Sequence, residues 1–369
     1  MRLQAIETAG FITREERLVL APTGGGPLPR LENLCTLLPL GLSLAPNFRI
    51  NGRDRVVPMV TEEASVVAGA SRIAVLLRSG EGLRATAGER LLGGQVLWAW
   101  QGSWQDLAAL TEPRQGELLE RLNGLHPSLV GAGGGLRSFC WRAGPEAGLQ
   151  VLDLVAHTGD AMGAHLLDRL AAELAGELLR FLPGRPVTSI VSNRPLGRSA
   201  RAEARVSLEL LGRCGREGAQ VGADIETLCG WALGDASRWP THLKGALNGA
   251  FAVLRAFGQD DRAVAAALLS TAQVEAPALL PRWRVQDGEL VGQLAMPLAV
   301  GVVGVGLEAP PGSILARLAG VVKASDLEEL VVAVGLAQNL AALQTLVTEG
   351  IVKGHGELHA RRGRGQGES

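Results

Sequence analysis

The chain has 369 residues, 47% of them hydrophobic, which is ample for two or three domains with sizeable cores. Its 36 basic and 37 acidic residues nearly cancel, so no electrostatic footprint for nucleic acid or an anionic membrane surface is expected. There is no tyrosine, which excludes a tyrosine general acid. The four scattered cysteines (Cys35, Cys140, Cys214, Cys229) argue for reduced thiols in a cytoplasmic protein, with neither a disulfide framework nor a metal site.

Residues 1–31 are weakly patterned, with a Pro/Gly-rich bend at Pro22–Pro29 and no basic-then-apolar signal peptide. Residues 62–78 carry apolar positions at helical spacing, an acidic start and a basic end, which predicts a helix whose first turn aims a carboxylate. From Ser79 the character changes. A β-like run at Gln95–Trp100 is followed by a helix at 112–124, then the break Gly131–Gly135. Strands at 136–142 and 149–155 come next, then an amphipathic helix opened by Asp160 and running to about Leu182, then a strand at 186–191. That order predicts a ferredoxin-like split βαβ unit inserted between two parts of a larger, helix-rich domain. The apolar run Leu294–Leu307 holds four Gly or Pro residues, is too short to span a bilayer, and reads as a buried strand. Ser325-Asp326-Leu327-Glu328 reads as a capping box, opening a long helix through Leu330, Val334, Ala337, Leu340, Leu343 and Val347. The Arg/Gly tail from Arg361 reads as frayed.

Six strings bear side chains suited to chemistry. Glu62-Glu63-Ala64-Ser65 opens the first helix; alone, such a Glu only complements the helix dipole. Thr241-His242-Leu243-Lys244-Gly245 supplies an ammonium, with Asn248 one turn further on the same face. Arg238, six residues earlier, suits a planar carboxylate because a guanidinium binds it with two parallel hydrogen bonds. Asp260 in Gly258-Gln259-Asp260 is, by itself, a turn or cap residue. Gln338 lies in Gly335-Leu-Ala-Gln-Asn339, and His355 follows Gly354. An imidazolium of pKa about 6.5 can protonate a thiolate of pKa about 8.5 near neutrality. Asp160-Ala161-Met162-Gly163-Ala164 places a glycine at a helix start, where backbone N–H groups can approach a diphosphate. It is not a GxGxxG fingerprint, and Gly131–Gly135 does not supply one.

In this order and spacing the strings resemble the class II, bacterial-type soluble 3-hydroxy-3-methylglutaryl-CoA reductases, from about Glu32 to about Ala360. The resemblance implies an α/β (α+β) fold: a large helix-rich substrate domain (1–87 and 194–350), an inserted ferredoxin-like dinucleotide-binding domain (88–193), and a truncated C-terminal flap (351–369). It implies Glu63, Lys244, Asp260 and His355 as catalytic, and Ser65, Arg238, Asn248 and Gln338 as substrate contacts. The implied cofactor contacts are Asp160, Ala161, Met162, Gly163, Ala164, Ser192 and Asn193, with no metal. The implied activity is reduction of HMG-CoA to mevalonate and CoA in isoprenoid metabolism, using two equivalents of NADH or NADPH. It would be carried out by a homodimer, or a larger dimer-based oligomer, with active sites at the interface and no nucleic-acid or membrane partner. Two alternatives stand beside it: an impaired relative that binds CoA esters, and the same enzyme run in reverse in mevalonate catabolism. The chain departs from the family pattern at His165 and Asp168 (Asn in the family), at Ser138 (acidic in the family) and at Leu34-Cys35-Thr36. It also stops fourteen residues after His355, where the family's flap continues. Leu122–Ser128, where the family sets cofactor choice, contains no carboxylate, which leaves NADPH open.

Overall fold

The computed structural model describes residues 4, 7–10, 13–20, 40–304 and 306–350. Contacts divide the chain into two units, Met1–Gly41 and Leu42–Ser369. The first contains α1 (Arg14–Leu20), preceded by a reciprocal Thr13–Glu16 capping box. The second holds both sheets and the other described helices.

β1 (Leu42–Ile50) and β2 (Arg53–Val60) form a hairpin around Asn51-Gly52. Both turn residues take positive φ, 51° and 73°, as a type I′ turn demands and as Asn and Gly do at least cost. α2 (Ala64–Arg78) buries Val66, Ala70, Ile73, Ala74 and Leu77, and its basic end, Arg78, holds Asp54 in a two-bond pair of 2.7 and 2.8 Å. β3 (Leu83–Thr86) joins β1 in parallel, and β4 (Leu91–Ala99) passes to a second sheet.

That sheet is built from β4, β5 (Gly135–Ala143), β6 (Leu149–His157) and β7 (Arg185–Pro195), in the order β5-β6-β4-β7 with every pair antiparallel. Between β4 and β5 lie α3 (Trp104–Thr111), a 3-10 turn at Glu112–Arg114, α4 (Gln115–Gly124) and α5 (Pro127–Gly131). α6 (Ala164–Leu178) connects β6 to β7. This is the split βαβ order that the sequence predicts. Its core gathers Leu167, Leu170, Leu174 and Leu178 of α6 around Trp98 and Trp141, whose rings meet edge-on at 5.8 Å. α3 is an addition to the expected elements: Ser103 and Asp106 cap each other, a signal present in the sequence. α6 is shorter than expected. It starts after Gly163 (φ 112°) and ends at Leu178, with Leu182 buried beyond it.

The chain then returns to the first sheet through β8 (Ser199–Ser207), followed by α7 (Gly218–Gly234), α8 (Trp239–Ala256) and α9 (Asp261–Glu275). β9 (Arg282–Gln286) and β10 (Glu289–Pro297) complete a six-stranded sheet ordered β2-β1-β3-β8-β10-β9. α10 (Gly312–Ala319) and α11 (Ala324–Thr348) close the described chain. Two expectations are corrected here. The run Leu294–Leu307 is not one strand: β10 ends at Pro297, and Leu298, Ala299 and Val300 are buried without continuing it. Nor do Ser325 and Glu328 form a capping box. Lys323 occupies the N-cap position, and the Asp326 carboxylate accepts the Val322 and Lys323 amides at 2.9 and 2.8 Å. Glu328 is thereby left to point inward. α11 is long and apolar enough by composition to cross a membrane, but 78% of that window is buried inside the protein, so its apolar surface serves the core. Cys140, Cys214 and Cys229 are free thiols; Cys35 lies outside the described residues.

Candidate active site

Glu63 is the N-cap of α2, with extended backbone (φ −99°, ψ 101°). Its Oε1 accepts the Ser65 hydroxyl at 2.7 Å and the Ser65 amide at 3.4 Å, so Ser65 orients the carboxylate. Arg255, near the C-terminal end of α8, reaches Glu62 at 3.9 Å and Asp261 at 3.3 Å. It therefore joins the start of α2 to the Gly258–Asp261 corner, where Asp260 stands. Asp260 accepts the Arg262 guanidinium at 2.9 and 3.1 Å, and this bond, ahead of the opposing effect of burial, lowers its pKa. Four acidic side chains thus share one corner.

Lys244 and Asn248 are exposed on α8, one turn apart. Arg255 is exposed on the same stripe, because eleven residues are close to three whole helical turns. Lys244 is therefore separated from Arg255, the residue that reaches the acid corner, by about 16 Å of helix at roughly 1.5 Å per residue. Within one chain Asp260 engages Arg262, and Lys244 makes no ion pair among the described residues. Arg238 stands at the N-cap position of α8 with its guanidinium 5.5 Å from the Trp231 ring, whose Nε1 donates to Asp235.

Gln338 is buried on α11, between α2 and α8. A Cβ at Gly249 would fall 2.7 Å from its Cβ, and one at Gly69 3.5 Å from its Nε2. Its Oε1 is buried and has no partner among the described residues. The neighbouring Asn339, not expected as important, is fully engaged: it accepts Trp283 Nε1 at 3.0 Å and donates to His242 O at 3.1 Å.

The Asp160–Ala164 string forms the turn between β6 and α6. Asp160 Oδ1 accepts the Ala324 amide at 2.9 Å, and its carbonyl accepts Val302 N at 2.9 Å. Ala161 N donates to Thr158 O, Met162 Sδ accepts Ala164 N at 3.4 Å, and α6 starts at Gly163 without a side-chain cap. Ser192 donates to Gly93 O at 3.1 Å, and Asn193 adopts φ 53° with its Oδ1 buried and unpartnered among the described residues. Asp168, at a family Asn position, accepts Val191 N at 2.8 Å and ties α6 to β7; His165 is exposed on α6 and Ser138 on β5. His355 lies outside the described residues, as do residues 31–39 and 351–369.

Sequence reasoning missed a buried triad. Arg90 and Arg198 both donate to Glu328 Oε1 on α11. Arg90 also bonds the carbonyls of Gly159, Ala161 (3.0 Å) and Val300 (2.8 Å); Arg198 bonds those of Met162 (2.7 Å) and Val300. Burial, reinforced by the neighbouring Arg90, brings the pKa of Arg198 down to about 10, and burial raises that of Glu328 against the pull of both guanidiniums. With both guanidiniums bonded to it, Glu328 is held as a carboxylate.

A helix-rich six-stranded unit carrying an acid corner and the exposed Lys244–Arg255 stripe, beside a split βαβ sheet whose helix α6 opens on a glycine, defines a mixed α/β fold. The chain belongs to the hydroxymethylglutaryl-coenzyme A reductase family, whose sequence profile matches residues 29–360. It is 34% identical over 372 residues to the 3-hydroxy-3-methylglutaryl-coenzyme A reductase of Archaeoglobus fulgidus, covering 96% of this chain and 82% of that protein. It is 29% identical to the probable enzyme of Borreliella burgdorferi, covering 90% and 77%. Among solved structures it is similar to the class II 3-hydroxy-3-methylglutaryl-CoA reductase of Streptococcus pneumoniae bound to NADPH in open conformations. That match has a TM-score of 0.79 at 29% identity and covers 94% of this chain and 96% of that one. A second structure of the same enzyme matches with a TM-score of 0.80 over 100% of this chain and 90% of that one.

Proposed function

We infer that this chain reduces HMG-CoA to mevalonate and CoA as an NAD(P)H-dependent oxidoreductase of the mevalonate pathway. NAD(P)H, when bound, supplies the two hydrides. The buried, unpartnered Asn193 Oδ1 and the uncapped glycine start of α6 fit a polar dinucleotide, with Asp160–Ala164, Ser192 and Asn193 holding it. Residues 88–193 would then be the cofactor domain, 1–87 and 194–350 the substrate domain, and 351–369 the flap segment, in a protein working in the cytoplasm.

In this reading Lys244 stabilises the oxyanion that develops on the thioester oxygen, the largest single contribution expected in such a reaction. Glu63 supplies a proton, Asp260 sets the local charge, and His355 protonates the departing thiolate. Ser65, Arg238, Asn248 and Gln338 position the substrate. One observation carries the assembly: Lys244–Asn248 and Arg255, which reaches the acid corner, occupy opposite ends of a single exposed stripe on α8. Two copies related by a two-fold axis through the middle of that stripe run antiparallel, which sets the lysine of one copy against the acid corner of the other. We therefore place the active site between two chains of a homodimer or a larger dimer-based oligomer.

The test is HMG-CoA-dependent oxidation of NADPH and of NADH by the purified protein. Lys244→Ala should lower kcat by about 10²- to 10³-fold. CoA-ester binding without turnover of either cofactor would instead identify an impaired relative.

A further inference from the structure

The Arg90–Glu328–Arg198 triad has no counterpart in the reaction as described, yet it is the most buried charged cluster near the proposed cofactor turn. Arg90 side-chain exposure is 9%, and those of Arg198 and Glu328 are 1% each. Ions held that deep cost stability unless each is paired and hydrogen-bonded, and apolar side chains of similar volume commonly fold as well or better. Stability alone therefore does not account for the arrangement. Its placement does. Arg90 precedes β4 and Arg198 precedes β8, so the arginines mark the two points where the chain crosses between the sheets. Glu328 gathers both onto α11, the helix that carries Gln338.

The remaining guanidinium donors are spent on backbone carbonyls of one segment, Gly159, Ala161 and Met162, and on Val300 beneath it. In a trans peptide the N–H lies opposite its C=O, so drawing these carbonyls toward the arginines turns the amides of residues 160, 162 and 163 away from them. The two guanidiniums are offset by Glu328 and by Asp160, whose carboxylate acts on Arg90 from within the turn, so the cluster holds the turn by geometry rather than by net charge. The other side is equally constrained. Asp160 is bonded to the first turn of α11, and a Cβ at Gly301 would lie 2.2 Å from Met162 N, so only glycine lets that segment support the turn.

We propose that Arg90, Glu328 and Arg198 are positioning residues that fix the Gly159–Met162 turn in the geometry that receives the nicotinamide dinucleotide and bind it mechanically to α11. The proposal rests on assigning that turn to the cofactor. It is tested with the full-length protein by measuring NADPH and NADH dissociation constants from tryptophan fluorescence, together with KM for each substrate. Arg198→Lys retains the charge but loses the fork. It should weaken dinucleotide binding about tenfold or more, while KM for HMG-CoA stays within about twofold. Replacing the triad with apolar residues (Arg90→Met, Glu328→Leu and Arg198→Met together) should give a folded protein with the same loss. A folded triple variant that binds the dinucleotide as wild type does overturns the proposal and leaves the triad a packing element. Hydrogen exchange on the wild type covers variants that do not fold. NADPH should slow exchange at residues 159–164 and at the Ala324 amide together, and protection confined to 159–164 overturns the link to α11. Failure of the wild-type protein to bind either dinucleotide would refute the cofactor assignment itself, a result distinguishable from failure of the triad.

Discussion

His242 lies two residues before Lys244, in the string that reads as chemistry, yet its ring faces the core. Nε2 is 2.8 Å from Pro281 O and acts as donor to it, while Nδ1 is buried without a partner among the described residues. Burial pulls its pKa below the ordinary histidine value, outweighing the Pro281 bond, which raises it. His157 is lowered in the same direction, by burial and then by Arg137, Arg90 and Arg198. Because the folded pKa is the lower one, the unfolded chain takes up protons first as pH falls. Stability is then complete above about pH 6.5 and declines on acidification toward the folded values. Thermal melts should show a lower Tm at about pH 5.5 than at about pH 7.5, with His242→Gln, which keeps a donor for Pro281, flattening the difference. An unchanged slope in that variant would remove His242 from the account.

The helices α2, α8 and α11 meet through small residues. Gly69 and Gly249 face Gln338 from opposite sides, and Gly245 lies against Asn339, where a Cβ would come within 3.2 Å of its Nδ2. Gly249→Ala should therefore cost about 1–3 kcal/mol in urea unfolding and raise KM for HMG-CoA by displacing Gln338. A neutral effect on both would show that the seam has slack. Much at this scale was legible in the sequence because period and burial agree. α2 alternates at helical spacing over a single apolar face, and the βαβ strands alternate at period two between one buried and one open side. Where several signals competed, the reading failed. Ser325 looked like a cap, but the helix is capped two residues earlier at Lys323, with the Asp326 carboxylate reaching back to the Val322 and Lys323 amides, and Pro297 ended a strand that apolarity alone extended to Leu307. The candidate site was legible as residue strings, but the triad was not. Residues 90 and 198 carry no local pattern, Glu328 reads as part of a cap, and only the topology brings two chain crossings onto one helix.

At the scale of the whole molecule, the proposed site must bring Lys244 and the carboxylates of Glu63 and Asp260 to one acyl carbon, although Lys244 and Arg255, the residue that reaches the acid corner, lie about 16 Å apart along α8. A lysine side chain cannot cover that span, and α8 cannot bend to close it, since Ala246, Gly249, Ala250 and Val253 are packed along its inner face. The acid corner is equally fixed, by Arg255 on one side and by Gln259 on the other, whose Oε1 accepts the buried Gly301 amide at 2.9 Å. In the proposed assembly a second copy brings the acid corner to Lys244. This makes a prediction that no single-chain site can satisfy. Lys244→Ala and Glu63→Gln should each be inactive alone. In the mixed dimer, one site receives both lesions and the other receives intact residues from each chain. Random reassembly of equal amounts should therefore restore about a quarter of wild-type activity, since half the dimers are mixed and each has one working site of two. The recovery is measured by co-refolding or co-expressing the two variants with different tags and assaying the doubly tagged fraction, which, being all mixed dimers, should recover about half of wild-type activity. If that fraction is as inactive as its parents, Lys244 and Glu63 serve the same site from the same chain, and the antiparallel pairing of α8 stripes is wrong.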